Sequence, residues 1–159
     1  MKALLQRVSA ASVSIDGEVV GRIGRGLVAL VGVAADDTAQ DVNYLVAKTV
    51  NLRIFADAAD KFNLSLRDIR GELLVVSQFT LLAETRHGRR PSFTAAAPPE
   101  KGEALYEEFV SGSRAAGVTV ATGRFGANMQ VDIHNDGPVT LLLDSREARP
   151  APRAAGEIS

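Results

Sequence analysis

Val13 and Ile15 alternate with Ser12 and Ser14 inside the apolar-rich stretch Ala3–Ile15, and this period of two predicts a half-buried strand. Asp16-Gly17 is a hairpin signal, so Glu18–Ile23 reads as the partner strand. Past Gly24 and Gly26, Leu27–Ala34 is a continuous apolar run, the pattern of a strand buried on both faces. The period then changes. Asp36, Asp37 and Thr38 offer N-cap chemistry, and Val42, Leu45, Val46 and Thr49 recur at spacings of three and four, which predicts a helix over Ala39–Leu52 with one apolar stripe.

Asn51–Phe55 leaves that helix, Ala56–Lys61 reads as a polar loop, and Asn63–Ile69 is too short and mixed to assign. Glu72–Phe79 is the strongest strand in the chain and opens into a long polar loop, Glu84–Ala97. Pro98-Pro99 and Gly117 punctuate a second helix over Glu100–Ala116. Three apolar-rich segments close the pattern: Val118–Thr122, Met129–Ile133 and Val139–Leu143. The expected fold is α+β, with mixed, largely antiparallel sheets of about seven strands and two main helices. Hairpins dominate and helices are few, which argues against a doubly wound parallel sheet. Residues 1–144 form the expected domain, while Ser145–Ser159, rich in Ala, Pro and Arg and without periodicity, reads as a disordered tail.

Composition narrows the chemistry. A chain of 159 residues with 46% hydrophobic content suits one domain able to bury a core without staples. It has no cysteine, which removes disulfides, thiolate nucleophiles and Cys-ligated zinc together and fits a cytoplasmic setting. No apolar run approaches the ~20 residues of a membrane span, and the start, MKALLQRVSA, is too briefly apolar for a signal peptide, so no membrane association is expected. With a net charge of −1, any contact with RNA must come from a local patch.

Conventional catalytic motifs are missing. His87 and His134 are the two histidines, no GxSxG elbow frames a serine, and nothing in the spacing supports a Ser77–His134–Asp132 triad. Both histidines read as structural or solvated. The acidic residues Asp36, Asp37, Asp57 and Asp60 lack the spacing of a metal loop, so neither a metal nor a cofactor is expected. Gly21–Gly26 looks like a dinucleotide loop but enters a strand, whereas phosphate binding of that kind requires a helix N-terminus.

Two segments carry unusual local chemistry. Ser77-Gln78-Phe79-Thr80 gathers hydroxyl, amide and aromatic groups at the end of the strongest strand, where backbone N–H groups leave the ladder, as an oxyanion site requires; an ordinary polar strand end reads the same way. Asn135-Asp136-Gly137-Pro138-Val139-Thr140 restricts the backbone sharply. Taken alone it is a hairpin connection, with a trans bond expected because only ~5–6% of X-Pro bonds in folded proteins are cis.

Together with Gln6–Val8, Arg53–Asp57, Leu74–Leu81, Arg90–Phe93, Ala104–Val110 and Thr122–Met129, these segments follow in order the pattern of the D-aminoacyl-tRNA deacylases. The chain resembles that family over about residues 1–144, and Ser77–Leu81 with Gly137–Thr140 is the specific combination. The resemblance implies a homodimer that hydrolyses the ester between a D-amino acid and the 3′-terminal adenosine of tRNA. It implies that Ser77, Gln78, Phe79 and Thr80 form the catalytic segment. It also implies that Gly137-Pro138, similar to a cis motif inserted into the partner subunit's site, excludes L-side chains with its carbonyl oxygens. Arg7 matches the position that helps hold that motif, whereas a related animal subfamily with a trans Gly-Pro differs there.

Two mechanisms fit the resemblance. In one, Thr80 is a nucleophile, although no histidine or lysine nearby is an evident base. In the other, the 2′-hydroxyl of the terminal adenosine assists, and the Phe79 or Thr80 amide supplies the oxyanion donor. Arg86, Arg89 and Arg90 are candidates for neutralising tRNA phosphates, or are simply a solvated loop. The rival readings are a non-catalytic RNA- or nucleotide-binding dimer of the same fold and a general esterase.

Overall fold

The sheet is organised around one long strand. In the computed structural model, which describes residues 1–149, β1 (Lys2–Ile15) folds back into β2 (Glu18–Ile23) through a tight turn. Asp16 and Gly17 both take positive φ there, 51° and 80°, the geometry of the hairpin turn that Asp-Gly favours. β3 (Gly26–Gly32) then pairs antiparallel with the first half of β1, from Lys2 opposite Gly32 to Val8 opposite Gly26.

Helix α1 (Ala39–Asn51) starts from a capping box, in which the Thr38 hydroxyl accepts from the Gln40 amide and the Asp41 carboxylate accepts from the Thr38 amide. A small two-stranded ribbon follows, β4 (Phe55–Ala56) with β5 (Phe62–Leu64). The next strands return to the main sheet: β6 (Glu72–Ser77) runs parallel to β3. After helix α2 (Pro99–Ala115), β7 (Thr119–Thr122) runs parallel to β6. β8 (Gln130–Asp144) lies antiparallel along β1. Because Lys2–Val8 is paired to both β3 and β8, these two occupy opposite edges of β1.

Side chains of β3 and β6 alternate between two cores. Leu27, Ala29, Val31, Leu73 and Val75 face the helices, packing with Leu45 and Val50 of α1 and Tyr106 and Phe109 of α2. Val28, Leu74 and Val76 face the inside of the curled sheet, with Val8, Ala11, Val13 and Ile23. Each fully buried aliphatic side chain contributes about 1.5–3 kcal/mol, so these two strands anchor the molecule. The curl brings β2 against β7: a Cβ on Gly21 would stand 2.6 Å from the Thr122 carbonyl oxygen, which explains why glycine occupies that position.

The α+β class, the two helices and the mixed sheet match the sequence reading. Three details differ. The ribbon β4–β5 occupies the stretch read as loop and unassigned sequence, being too short to show a period. Met129–Ile133 and Val139–Leu143 belong to a single strand, β8, that is interrupted by an excursion. Residues from Ser145 do not start a free tail, because Ser145–Ala148 forms a 3-10 turn and Ser145 is buried.

That turn is tied down by charge. The Met1 ammonium donates to Asp37 Oδ1 at 2.7 Å and to the Ser145 hydroxyl at 2.8 Å, and Ser145 in turn donates to Asp41 Oδ1 at 2.7 Å. Arg149 reaches Asp41 at 2.9 Å and Asp37 at 3.3 Å. Burial works against the Asp41 charge, but hydrogen bonds from Ser145, the Thr38 amide and Arg149 outweigh it and hold the carboxyl well below its ordinary range. The remainder of the expected tail, residues 150–159, lies outside the described residues. No described helix is long and apolar enough to cross a membrane.

Candidate active site

β6 delivers Ser77 to the rim of the sheet, opposite Val31. The Gln78 amide makes the last bond to β3, donating to the Val31 carbonyl at 2.8 Å, and the chain then tightens into a 3-10 turn over Phe79–Leu82. Helical turns leave their first amides without internal partners. Gln78 does not cap them, since its side-chain amide donates instead to the Thr80 hydroxyl. Among the described residues the amides of Phe79 and Thr80 therefore meet no protein acceptor.

Beside this turn lies a cleft of about 600 Å³. Ser77, Gln78 and Phe79 line one side, Phe93, Ala96 and Pro99 a second, and the segment Phe125–Met129 a third. No lining residue carries a titratable side chain. Phe79 is 56% exposed and meets Phe93 edge to face, with centroids 5.2 Å apart at 74°. Phe125 is braced from behind by Tyr106, whose hydroxyl donates to the Val75 carbonyl at 3.1 Å. Burial pushes that phenol up to about 12, so it remains a donor at any ordinary pH.

Three of the four residues proposed from sequence thus meet at the cleft. Thr80 is exposed and stands outside its lining. Phe93 and Phe125–Met129 were not singled out individually, although both lie in the short segments that carried the family resemblance. Their signal was an aromatic or glycine in a connecting segment, which by itself looks like any loop.

The second segment has a different geometry from a hairpin. Between the pair Gln6–Thr140 and the pair Val8–Asn135, β1 contributes only Arg7, whereas β8 contributes Asp136, Gly137, Pro138 and Val139. The dipeptide is therefore an excursion looped out of a continuous strand, and the Gly137-Pro138 bond is cis, contrary to the trans bond expected from base frequency. Asn135 closes the neck: its Oδ1 accepts from the Val139 amide at 3.2 Å and its Nδ2 donates to the Thr140 hydroxyl at 2.9 Å.

Arg7 holds the excursion from beneath. Its Nε donates to the Asp136 carbonyl at 3.1 Å and lies 3.6 Å from the Asp136 carboxylate, while Nη1 donates to the Ile54 carbonyl at 2.8 Å. Gly137 has φ +128°, and a Cβ there would come within 3.0 Å of Arg7 Nη2, so glycine serves both the backbone and the packing.

Within the chain the two segments do not meet. Arg7 is level with Leu27, and Leu27 with Leu73, so Ser77 lies roughly 13 Å further along β6. The excursion, on the far side of β1, contributes nothing to the cleft lining.

Arg86, Arg89 and Arg90 all lie exposed in a turn closed by the Glu84–Ser92 bridge. Arg86 is directed to Glu84 at 3.3 Å, whereas Arg89 and Arg90 make no ion pair among the described residues. His134 and Asp132 sit exposed on β8, opposite Ala10 and Ser12, and no hydrogen bond links either to Ser77.

Known proteins are similar to this chain along most of its length. The family described as D-Tyr-tRNA(Tyr) deacylase matches residues 4–144. D-aminoacyl-tRNA deacylase from Dehalococcoides mccartyi is 61% identical over 147 residues, covering 92% of this chain and 96% of the relative. A solved structure described as c-Myc DNA unwinding element binding protein superposes with a TM-score of 0.86 at 41% identity, covering 95% of this chain and 100% of that one. A second, described as a probable eukaryotic D-amino acid tRNA deacylase, shares the fold with a TM-score of 0.80 at 20% identity, covering 89% of this chain and 97% of its own.

Proposed function

The chain belongs to the D-Tyr-tRNA(Tyr) deacylase family, and on that premise we infer that it hydrolyses the ester joining a D-amino acid to tRNA, releasing free D-amino acid and tRNA. The observation that carries the mechanism is the cleft itself, uncharged along its lining, which includes Phe79 with its unmatched amide, the Thr80 amide following next in the chain. Such a site offers positioning and an oxyanion donor but no side-chain base.

The terminal adenosine supplies what the protein lacks. Its 2′-hydroxyl activates the water that attacks the ester carbonyl. The tetrahedral oxyanion is received by the Phe79 or Thr80 amide; as the C–O bond to the 3′-oxygen breaks, the 2′-hydroxyl passes its proton to that oxygen and takes up the one lost by the attacking water. Ser77 and Gln78 shape the site beside the scissile bond. Thr80 is a poor nucleophile here, because the group bound to its hydroxyl is an amide donor and not a base.

Chirality is selected by Gly137 and Pro138, whose carbonyl oxygens occupy the space an L-side chain needs. Their distance from Ser77 along the sheet supports action in the partner subunit of a homodimer, with Arg7 holding the excursion in place. Arg86, Arg89 and Arg90 face the phosphates of the acceptor stem, and contact of this kind is independent of sequence. The cytoplasm, where tRNA is charged, is the compartment this reading requires.

The test is incubation of the full chain with matched D- and L-aminoacyl-tRNA. Preferential release of the D-amino acid is expected. Binding of both without preferential release would instead favour a non-catalytic RNA-binding dimer, and hydrolysis of simple aryl esters without tRNA would favour a general esterase.

A further inference from the structure

Phe62 is an aromatic side chain that the fold leaves 57% exposed, and neither core claims it. It sits on β5, in a two-stranded ribbon of a kind that is only marginally stable without further packing. Its ring lies against the guanidinium of Arg7, with Cζ 5.3 Å from the ring centroid. The same guanidinium is bonded to Ile54, which precedes the ribbon, and to Asp136, which opens the excursion of β8.

We propose that Phe62 is a positioning residue for chiral selection: its ring fixes the plane of the Arg7 guanidinium, and through Arg7 it fixes the excursion that carries Gly137-Pro138. The proposal rests on the reading of that excursion as the chiral filter.

A guanidinium is a planar fork, so a ring packed beneath its Cζ limits its movement and helps keep Nε and Nη1 aimed at carbonyls on two different segments. The ring also covers part of the Arg7 side chain, which is only 12% exposed, and the bond from Nη1 to the Ile54 carbonyl is part-buried while the bond to Asp136 lies at the surface. The excursion has few other restraints. Asn135 ties its neck, and Arg7 is the side chain that reaches the Asp136 carbonyl before the Gly-Pro step.

The experiment compares Phe62→Ala, Phe62→Tyr and Arg7→Ala in the full chain, measuring kcat/KM for matched D- and L-aminoacyl-tRNA. Phe62→Ala is expected to lower the D-to-L ratio by roughly two- to fivefold, the scale of one partly exposed cation–ring contact, through faster hydrolysis of the L-substrate. Phe62→Tyr, which keeps the ring, restores the ratio. In the Arg7→Ala background the Phe62→Ala change has no further effect, because the two act in series. A lower ratio in Arg7→Ala with an unchanged ratio in Phe62→Ala overturns this inference and leaves the filter standing. An unchanged ratio in Arg7→Ala overturns the filter reading and this inference with it.

Discussion

Arg7 donates from Nε to the backbone carbonyl of Asp136 at 3.1 Å, so a side chain on β1 is bonded to β8 at the point where β8 departs from its ladder. A lysine at this position keeps the charge but loses the fork, and cannot serve the Ile54 and Asp136 carbonyls with the same spacing. Arg7→Lys is expected to lower the D-to-L ratio roughly tenfold, the scale of one lost charge-assisted hydrogen bond. Rates on matched aminoacyl-tRNAs read this directly, and wild-type discrimination in the variant would show that charge alone suffices.

The Thr80 hydroxyl is exposed and accepts from Gln78, outside the cleft lining. Thr80→Ala and Thr80→Val are therefore expected to keep single-turnover hydrolysis within about tenfold of the parent, the cost of disturbing one neutral hydrogen bond. Replacing the terminal adenosine by its 2′-deoxy form is expected to slow the reaction far more. Near-complete loss in both threonine variants, with fold and tRNA binding intact, would sink the substrate-assisted mechanism.

Arg86 is already directed to Glu84, whereas Arg89 and Arg90 are free of ion pairs among the described residues. The salt dependence of tRNA binding should separate them. Arg89→Ala and Arg90→Ala are each expected to reduce the slope of log K against log salt by about one, and Arg86→Ala by less. Equal slopes in all variants would remove the loop from the RNA interface.

Much of the architecture was legible because its signals are local. The apolar run Leu73–Val76 and the Asp16-Gly17 turn each announce themselves within a few residues. The excursion was not legible as such. A strand that loops out Asp136–Val139 opposite a single Arg7 has the same sequence pattern as two strands joined by a turn, and only the continuous partner β1 distinguishes them. The parallel pairing of β3 with β6 was hidden for the same reason, since pairing partners distant in sequence leave no period. At the site, Ser77–Phe79 was visible as a chemical oddity, while Phe93 and Phe125 gain meaning only when the fold brings them to one cleft. Ser145 looks like tail in sequence because it buries its hydroxyl through partners far away along the chain, Met1 and Asp41.

That lock has a pH signature. The Asp41 carboxyl is held below its ordinary range, so between the unfolded value near ~3.9 and the lower folded value the native state binds fewer protons than the unfolded chain. Its stabilisation is complete above that unfolded value and is lost as pH falls toward the folded one. Asp41→Ala is expected to cost about 1–3 kcal/mol at neutral pH, with the difference narrowing below pH ~4. Thermal melts of both proteins from pH 7 to 3 check this, and a gap that widens on acidification would reverse the assignment.

The meeting of β2 and β7 bears on how the cleft is framed. Gly21 presses against the Thr122 carbonyl, but the two strands share no ladder, so the ring of the sheet is closed by touch and not by stitching. The segment Phe125–Met129, one wall of the cleft, springs from the end of β7 beside that seam. That wall is held at both ends, by β7 paired to β6 and by β8 paired to β1, and Phe125 within it packs against Tyr106. Packing and the strands on either side of the seam give the cleft its shape, and no closed ring of backbone bonds frames it.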